Sequence, residues 1–458
     1  MTTVEKVRHY LLKIEENKSL NAFIEVYADE ALAEAAKVDA KIAAGKAGRL
    51  AGKVIGLKDV LSHEKHGLQG GSRILEGFKA QFTATAVERL LAEDAVVIGR
   101  QNCDEFAMGS ANENPYYGPV RNAADQSLVG GGSSGGSGVA VQAGLCDMSI
   151  GSDTGGSVRQ PGAFCGVYGL KPTYGRISRW GLVAYGSSFD CIGPMADSLA
   201  DIALLLEVMA GEDDHDSTVS SLPVERYNLA TDGGTKKLRF GVMREALENE
   251  AIHPDIKAGM QRAITGLQAA GHTVEVYDFP LMEYILPTYY ILTMAEASSN
   301  LARYDGVRYG YRTPNPGNLE QMYKQTRSEG FGPEVKRRIL LGTFVLSASY
   351  YDAFFTKAQR VRRLISEANV ALLERFDALL LPTTPTPAFA IGKKSEDAVE
   401  GFLADIFTVQ ANLTGQPAIS IPAGKTKEGL PFGLQLMGKH FGEYGLIEAA
   451  ANLEKSVE

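Results

Sequence analysis

The chain has 458 residues, with Lys+Arg 46 against Asp+Glu 55 for a net charge of −9, and it is 45% hydrophobic and 22% charged. These values describe an ordinary globular chain with enough mass for a sizeable buried core, and they exclude a disordered or fibrous one. The acidic balance leaves no basic footprint for gripping nucleic acid directly. No apolar run approaches the roughly 18 residues a membrane-spanning helix needs, and the first ten residues lack the apolar stretch of a secretory signal. The four cysteines, Cys103, Cys146, Cys165 and Cys191, have no CxxC spacing and are too few for a disulfide framework, so buried, reduced thiols in a cytoplasmic protein are expected.

In chain order, Val4, Val7, Leu11 and Ile14 recur at helical spacing, and an Ala-rich charged stretch follows from Asp29 to Ala47. The first fifty residues are therefore expected to be helical. The texture then changes to the short β-rich run Lys53–Val60, a helix near Thr85–Glu93 and the apolar strand Ala95–Gly99. Further on come a strand at Leu238–Val242, a helix at Asp255–Ala270 with Ile256, Met260, Ile264 and Leu267 on one face, and a strand at Thr273–Phe279. Residues 281–375 are expected to be largely helical, with strands returning at Ala378–Pro382, Ala418–Pro422 and Gly433–Met437. Such alternation predicts one large α/β domain over residues 1–458 with a helical insertion.

The composition is unusual in glycine, with 50 residues where typical usage of about 7% would give roughly 32. The surplus is local: residues 130–193 hold 17 glycines in 64 positions. Two Ser-Gly clusters dominate, Gly130–Gly138 and Gly151–Ser157. A flexible linker would not run on into Val139-Ala-Val-Gln-Ala and a second ordered cluster. A phosphate cradle is the second reading, since Gly130, Gly132 and Gly135 match a dinucleotide fingerprint, although Asp125–Val129 makes a poor preceding strand. The third is an oxyanion hole, in which tight turns aim successive N–H groups at one point, here the backbone of Thr154, Gly155, Gly156 and Ser157. Ser157 is then the candidate nucleophile and needs a base. None of the seven histidines has a motif around it, whereas Lys58 stands in an apolar strand where desolvation lowers a lysine pKa.

The run from Gly130 to Pro194 resembles the amidase signature family, whose members hydrolyse carboxamides with a Ser-cisSer-Lys triad. That resemblance implies Ser157 as nucleophile, Ser133 as the bridging serine after a cis peptide, Lys58 as base, and a fold with one large mixed central sheet flanked by helices. Asp104–Gly109, Gly169–Arg176, Glu296–Tyr309, Lys336–Thr343 and Asp405–Thr408 resemble more narrowly the glutaminase subunits of tRNA-dependent amidotransferases within that family.

From this narrower resemblance follow glutamine as substrate, Arg338 for its α-carboxylate, Asp405 for its α-ammonium and Tyr289 beside it, with Arg337 and Tyr290 one residue away as alternatives. It also implies B and C partner subunits in a heterotrimer, charged tRNA held through the B subunit, and ATP with Mg²⁺ used by the complex. No cofactor or metal is expected in this chain itself, nor any membrane partner. Val129, Val60 and Gln410 depart from the residues usual in the family. A stand-alone amidase acting on another carboxamide is the competing reading.

Overall fold

The computed structural model describes residues 1–393 and 404–457. Among them, eleven strands form one mixed sheet: β1 (Phe23–Val26), β2 (Val54–Lys58), β3 (Val96–Gln101), β4 (Met148–Asp153), β5 (Tyr168–Lys171), β6 (Cys191–Ala196), β7 (Arg239–Met243), β8 (Thr273–Tyr277), β9 (Ala378–Pro382), β10 (Ala418–Lys425) and β11 (Pro431–Met437). Their spatial order is β1-β3-β2-β4-β6-β5-β10-β11-β9-β7-β8. The sheet is flanked by helices, including α1 (Thr3–Glu16), α2 (Ala28–Ala43), α3 (Thr85–Ala92), α4 (Gly135–Gln142), α5 (Arg159–Cys165), α6 (Leu199–Met209), α7 (Arg244–Glu248) and α8 (Pro254–Ala269). Residues 281–375 are mainly helical, as α9 (Met282–Asn300), α10 (Leu319–Gly330), α11 (Pro333–Val345), a π-helical turn at Tyr351–Thr356 and α12 (Lys357–Arg375). No helix among the described residues is long and apolar enough to cross a membrane.

The long apolar strands fall where their sequence texture places them, because strands buried on both faces read as continuous apolar runs. The all-helical expectation for residues 1–50 is wrong. Phe23–Val26 forms β1, antiparallel to β3, between α1 and α2. Its four residues carry too little alternation to outweigh the helical stretches on either side. All four cysteines are free and buried.

What positions the site is the centre of the sheet. β2 pairs in parallel with both β3 and β4, and every residue of β2 and β4 is buried. With Leu57 opposite Ile150, the parallel register brings the C-terminal ends of β2 and β4 side by side. Ligand sites in sheets of this kind form outside the carboxyl ends of parallel strands. Lys58 ends β2, and Asp153 ends β4 just before the Thr154–Ser157 turn. Gly151 lets this edge close up, since a Cβ there would lie 2.8 Å from Ser134 Oγ.

Candidate active site

Lys58 has no exposed surface, and its Nζ donates to Ser133 Oγ at 2.7 Å and to Ser152 Oγ at 2.9 Å. Burial lowers its pKa to about 8, outweighing the nearby Cys103, Asp104, Asp153 and Asp190, which all work to keep the proton on. The Gly132–Ser133 peptide is cis. Ser134 N–H, one residue on, donates to the Ser157 carbonyl at 3.1 Å and so seats the Ser157 turn against the Ser133 turn. Ser157 keeps 7% of its surface exposed. The chain therefore gathers Lys58, Ser133 and Ser157 from three separate segments.

The first glycine cluster does not serve as a phosphate cradle. Gly132 N–H donates to Gln160 Oε1, Gly135 N–H to Asn112 Oδ1 and Gly136 N–H to the Asn102 carbonyl, at 2.8, 2.9 and 3.0 Å. Backbone donors already satisfied by buried protein acceptors have none left for an anion. These glycines instead pack the Ser133 turn against its neighbours.

In the second cluster, Gly156 departs from its expected place among the oxyanion donors. Its N–H donates to Asp153 Oδ1 at 2.8 Å, which leaves the N–H groups of Thr154, Gly155 and Ser157 as candidates. Gly156 is required for shape, because its φ is +129° and a Cβ there would collide with Thr408. Thr408 Oγ1 also donates to the Gly155 carbonyl at 2.6 Å. The turn is anchored by Asp153, which Arg159 grips through Nε at 3.0 Å and Nη2 at 2.9 Å. Burial works to raise the Asp153 pKa, but Arg159 and the Asn412 amide outweigh it and hold this carboxyl well below the usual range.

The substrate-binding candidates surround two adjacent tyrosines of α9. Tyr290 Oη donates to Asp405 Oδ2 at 2.7 Å, and Arg338 stacks over the Tyr290 ring with its guanidinium 5.7 Å from the centroid. Tyr289 points to the other side, its hydroxyl filling the space a Cβ on Gly155 would need. Both tyrosines thus belong to the site, one at the charged anchors and one against the oxyanion turn. Arg338 is 4% exposed and donates to Tyr185 Oη at 2.6 Å and to Glu334 Oε1 at 2.7 Å. Burial opposes its charge, but Tyr185, Glu334 and Tyr290 outweigh burial and keep it protonated. Arg337 is half-exposed and ion-paired with Glu334, so Arg338 is the inward-facing arginine. Burial raises the Asp405 pKa to about 6, partly offset by the hydroxyls of Tyr290 and Ser110.

Sequence reasoning missed Ser152, Ser110, Tyr185 and Thr408, which are ordinary hydroxyl residues carrying no spacing signal. The departures are absorbed by packing. Val129 is buried against Phe164 and Ala388, with its N–H donating to the Phe389 carbonyl. Val60 sits in a small cluster with Cys103 and Ala107, and Gln410 donates to Asn369 Oδ1 at 2.7 Å rather than facing the anchors.

Comparison with known proteins gives a consistent picture. The family model described as Amidase matches residues 5–447. The A subunit of glutamyl-tRNA(Gln) amidotransferase from Koribacter versatilis is 49% identical over 447 residues, covering 97% of this chain and 93% of that protein. The crystal structure of the A subunit of glutamyl-tRNA(Gln) amidotransferase from Thermotoga maritima superposes with a TM-score of 0.81 at 37% identity, covering 98% of this chain and 90% of that one. Native peptide amidase from Stenotrophomonas maltophilia superposes with a TM-score of 0.84 at 29% identity, covering 100% and 94%.

Proposed function

Because this chain belongs to the Amidase family, we propose that it is the glutamine-hydrolysing subunit of a tRNA-dependent amidotransferase, releasing ammonia for amidation of Glu-tRNA(Gln) or Asp-tRNA(Asn) by its partners. The observation that carries this reading is the buried Arg338 and Asp405 flanking Tyr290, whose neighbour Tyr289 abuts the Gly155 turn. Free glutamine carries one charge of each sign on its α-carbon. Charge-assisted bonds to both ends would leave its side-chain carboxamide to reach the nucleophile.

In the mechanism, neutral Lys58 accepts a proton from Ser133 as Ser133 takes one from Ser157, and Ser157 Oγ attacks the carboxamide carbon. The N–H groups of Thr154, Gly155 and Ser157 stabilise the tetrahedral oxyanion. The proton returns through Ser133 to the departing nitrogen, the C–N bond breaks, and ammonia leaves a γ-glutamyl ester on Ser157. Water, deprotonated by the same relay, then hydrolyses the ester to glutamate and restores Ser157. Partner B and C subunits complete a cytoplasmic heterotrimer. The charged tRNA and ATP with Mg²⁺ are handled by those partners, in keeping with the acidity of this chain.

Only neutral Lys58 serves as base, so kcat/KM for glutamine is expected to rise about tenfold per pH unit between about pH 6 and 8 and level off above pH 8, and to fall more steeply below pH 6, where Asp405 also takes up a proton. A pH profile of ammonia release by the assembled complex checks this.

Arg338→Ala and Asp405→Asn are each expected to raise the KM for glutamine by about 100-fold, through loss of one charge-assisted contact. Hydrolysis of a simple uncharged amide should be spared. Ammonia release from glutamine by the complex, measured for these variants beside the wild type, tests the function. Equal activity of wild type and variants on glutamine, or robust turnover only of unrelated amides by the isolated chain, would instead favour a stand-alone amidase.

A further inference from the structure

The segment from Asp104 to Ser110 meets three parts of the site at once. Asp104 N–H donates to the Ser133 carbonyl at 3.1 Å, beside the cis peptide, and Ser110 Oγ donates to Asp405 Oδ2 at 2.8 Å. Between them Glu105, 3% exposed, sends its carboxylate to the start of α11. Its Oε2 and Oε1 accept from Gly332 N–H at 2.8 and 3.1 Å, and Oε1 also accepts from Ser72 Oγ. Gly332 is the N-cap of α11 and has no side chain to cap its own helix. Glu105 instead takes the N–H of the N-cap residue, one of the orphan donors of the helix start, from 227 residues away in the chain. Burial raises the Glu105 pKa to about 7, partly offset by the Ser72 and Gly332 hydrogen bonds, so its hydrogen-bonding oxygens rather than a full negative charge hold the helix start.

The consequence lies one turn further along α11. Glu334, in the first turn, accepts from Arg338 Nε at 2.7 Å, so the pose of Arg338 follows that turn. Phe106, adjacent to Glu105, packs 5.7 Å from the Phe331 ring just ahead of Gly332 and adds a second hold on the same point. We propose that Glu105 is a positioning residue for substrate binding, fixing the first turn of α11 so that Arg338 is held ready for the α-carboxylate. This rests on the reading of Arg338 as the carboxylate anchor. It goes beyond that reading by assigning the anchor's placement to a buried acid that touches no substrate.

The assembled complex carrying Glu105→Ala, Glu105→Asp or Glu105→Gln is compared with the wild type in three ways. These are glutamine kinetics, the rate of Ser157 labelling by a small fluorophosphonate, and hydrogen exchange of the amides of residues 332–338. Glu105→Ala, and Glu105→Asp, which keeps a carboxyl group but withdraws its oxygens, are expected to raise KM about tenfold with kcat within about twofold. Labelling should be unchanged and exchange at 332–338 faster. Glu105→Gln still offers an oxygen to Gly332 N–H, and its KM should stay within about threefold of wild type. The proposal is overturned if kcat and labelling fall together, if KM is unchanged in the Ala and Asp variants, or if Gln is as impaired as Ala. If Glu105→Ala does not fold, the Asp and Gln pair decides. If the wild-type complex releases no ammonia from glutamine, the proposed function fails, and exchange at 332–338 alone decides whether Glu105 holds the helix.

Discussion

Ser157→Ala is expected to stop ammonia release from glutamine, lowering kcat by about 10⁴-fold or more, and removal of Lys58 is expected to cost nearly as much. The two act as one unit, so the double variant should be little worse than either single one. Steady-state glutaminase rates of the assembled complex measure both. Lys58 also separates activity from stability. Its pKa is depressed in the fold, so the unfolded chain binds the proton more readily between about pH 8 and 10.5, and stability rises with pH across that window. Below pH 8 its burial is a full cost of about 3 kcal/mol. Lys58→Met, which fills a similar volume without a charge, is therefore expected to abolish hydrolysis while leaving the thermal midpoint at pH 7 unchanged or higher. A large drop in that midpoint would mean that Lys58 is held for structure.

Arg159→Met is expected to destabilise the chain by about 3–5 kcal/mol, because it leaves the Asp153 carboxylate buried without its counter-charge. Arg159 has no exposed surface. Besides the two bonds to Asp153, it donates to the Thr408 carbonyl at 2.8 Å and to Asn412 Oδ1 at 2.7 Å, and it also bonds Gln435. It thus ties the Ser157 turn to the Val409–Thr414 helix and to β11. The same substitution should lower kcat, since Asp153 holds Gly156 N–H and Val158 N–H on either side of the nucleophile. Adding Asp153→Asn to Arg159→Met removes the uncompensated charge and should recover part of the stability but not the activity. Thermal unfolding and glutamine turnover of the two single variants and the double variant read both effects.

The sequence carried the site unevenly, and the reasons are physical. Lys58 was legible only in company: a lysine on a strand is by itself usually a solvated edge residue, and the two Ser-Gly clusters, with a serine in need of a base, single it out. Ser157 was legible because it ends a glycine turn suited to an oxyanion. Arg338 and Asp405 were legible only through resemblance, since one helical arginine and one loop aspartate have no distinctive local pattern. Ser152 was not legible at all. It reaches Lys58 because β2 and β4 are parallel neighbours, a pairing that no local periodicity encodes. Within the glycine-rich segment, β4, β5 and β6 were likewise missed. They are buried on both faces and interrupted by glycine, so they show neither alternation nor β-branched runs. Gly156 shows the same limit at one residue. Its place in the motif fits an oxyanion donor, while Asp153 takes its N–H.

The most direct test is peptide mass spectrometry of the assembled complex, acid-quenched during glutamine turnover. A γ-glutamyl adduct is expected on the peptide containing Ser157, absent from Ser157→Ala and reduced in Lys58→Ala. An adduct on any other residue, or ammonia release that persists in Ser157→Ala, would contradict nucleophilic catalysis by Ser157.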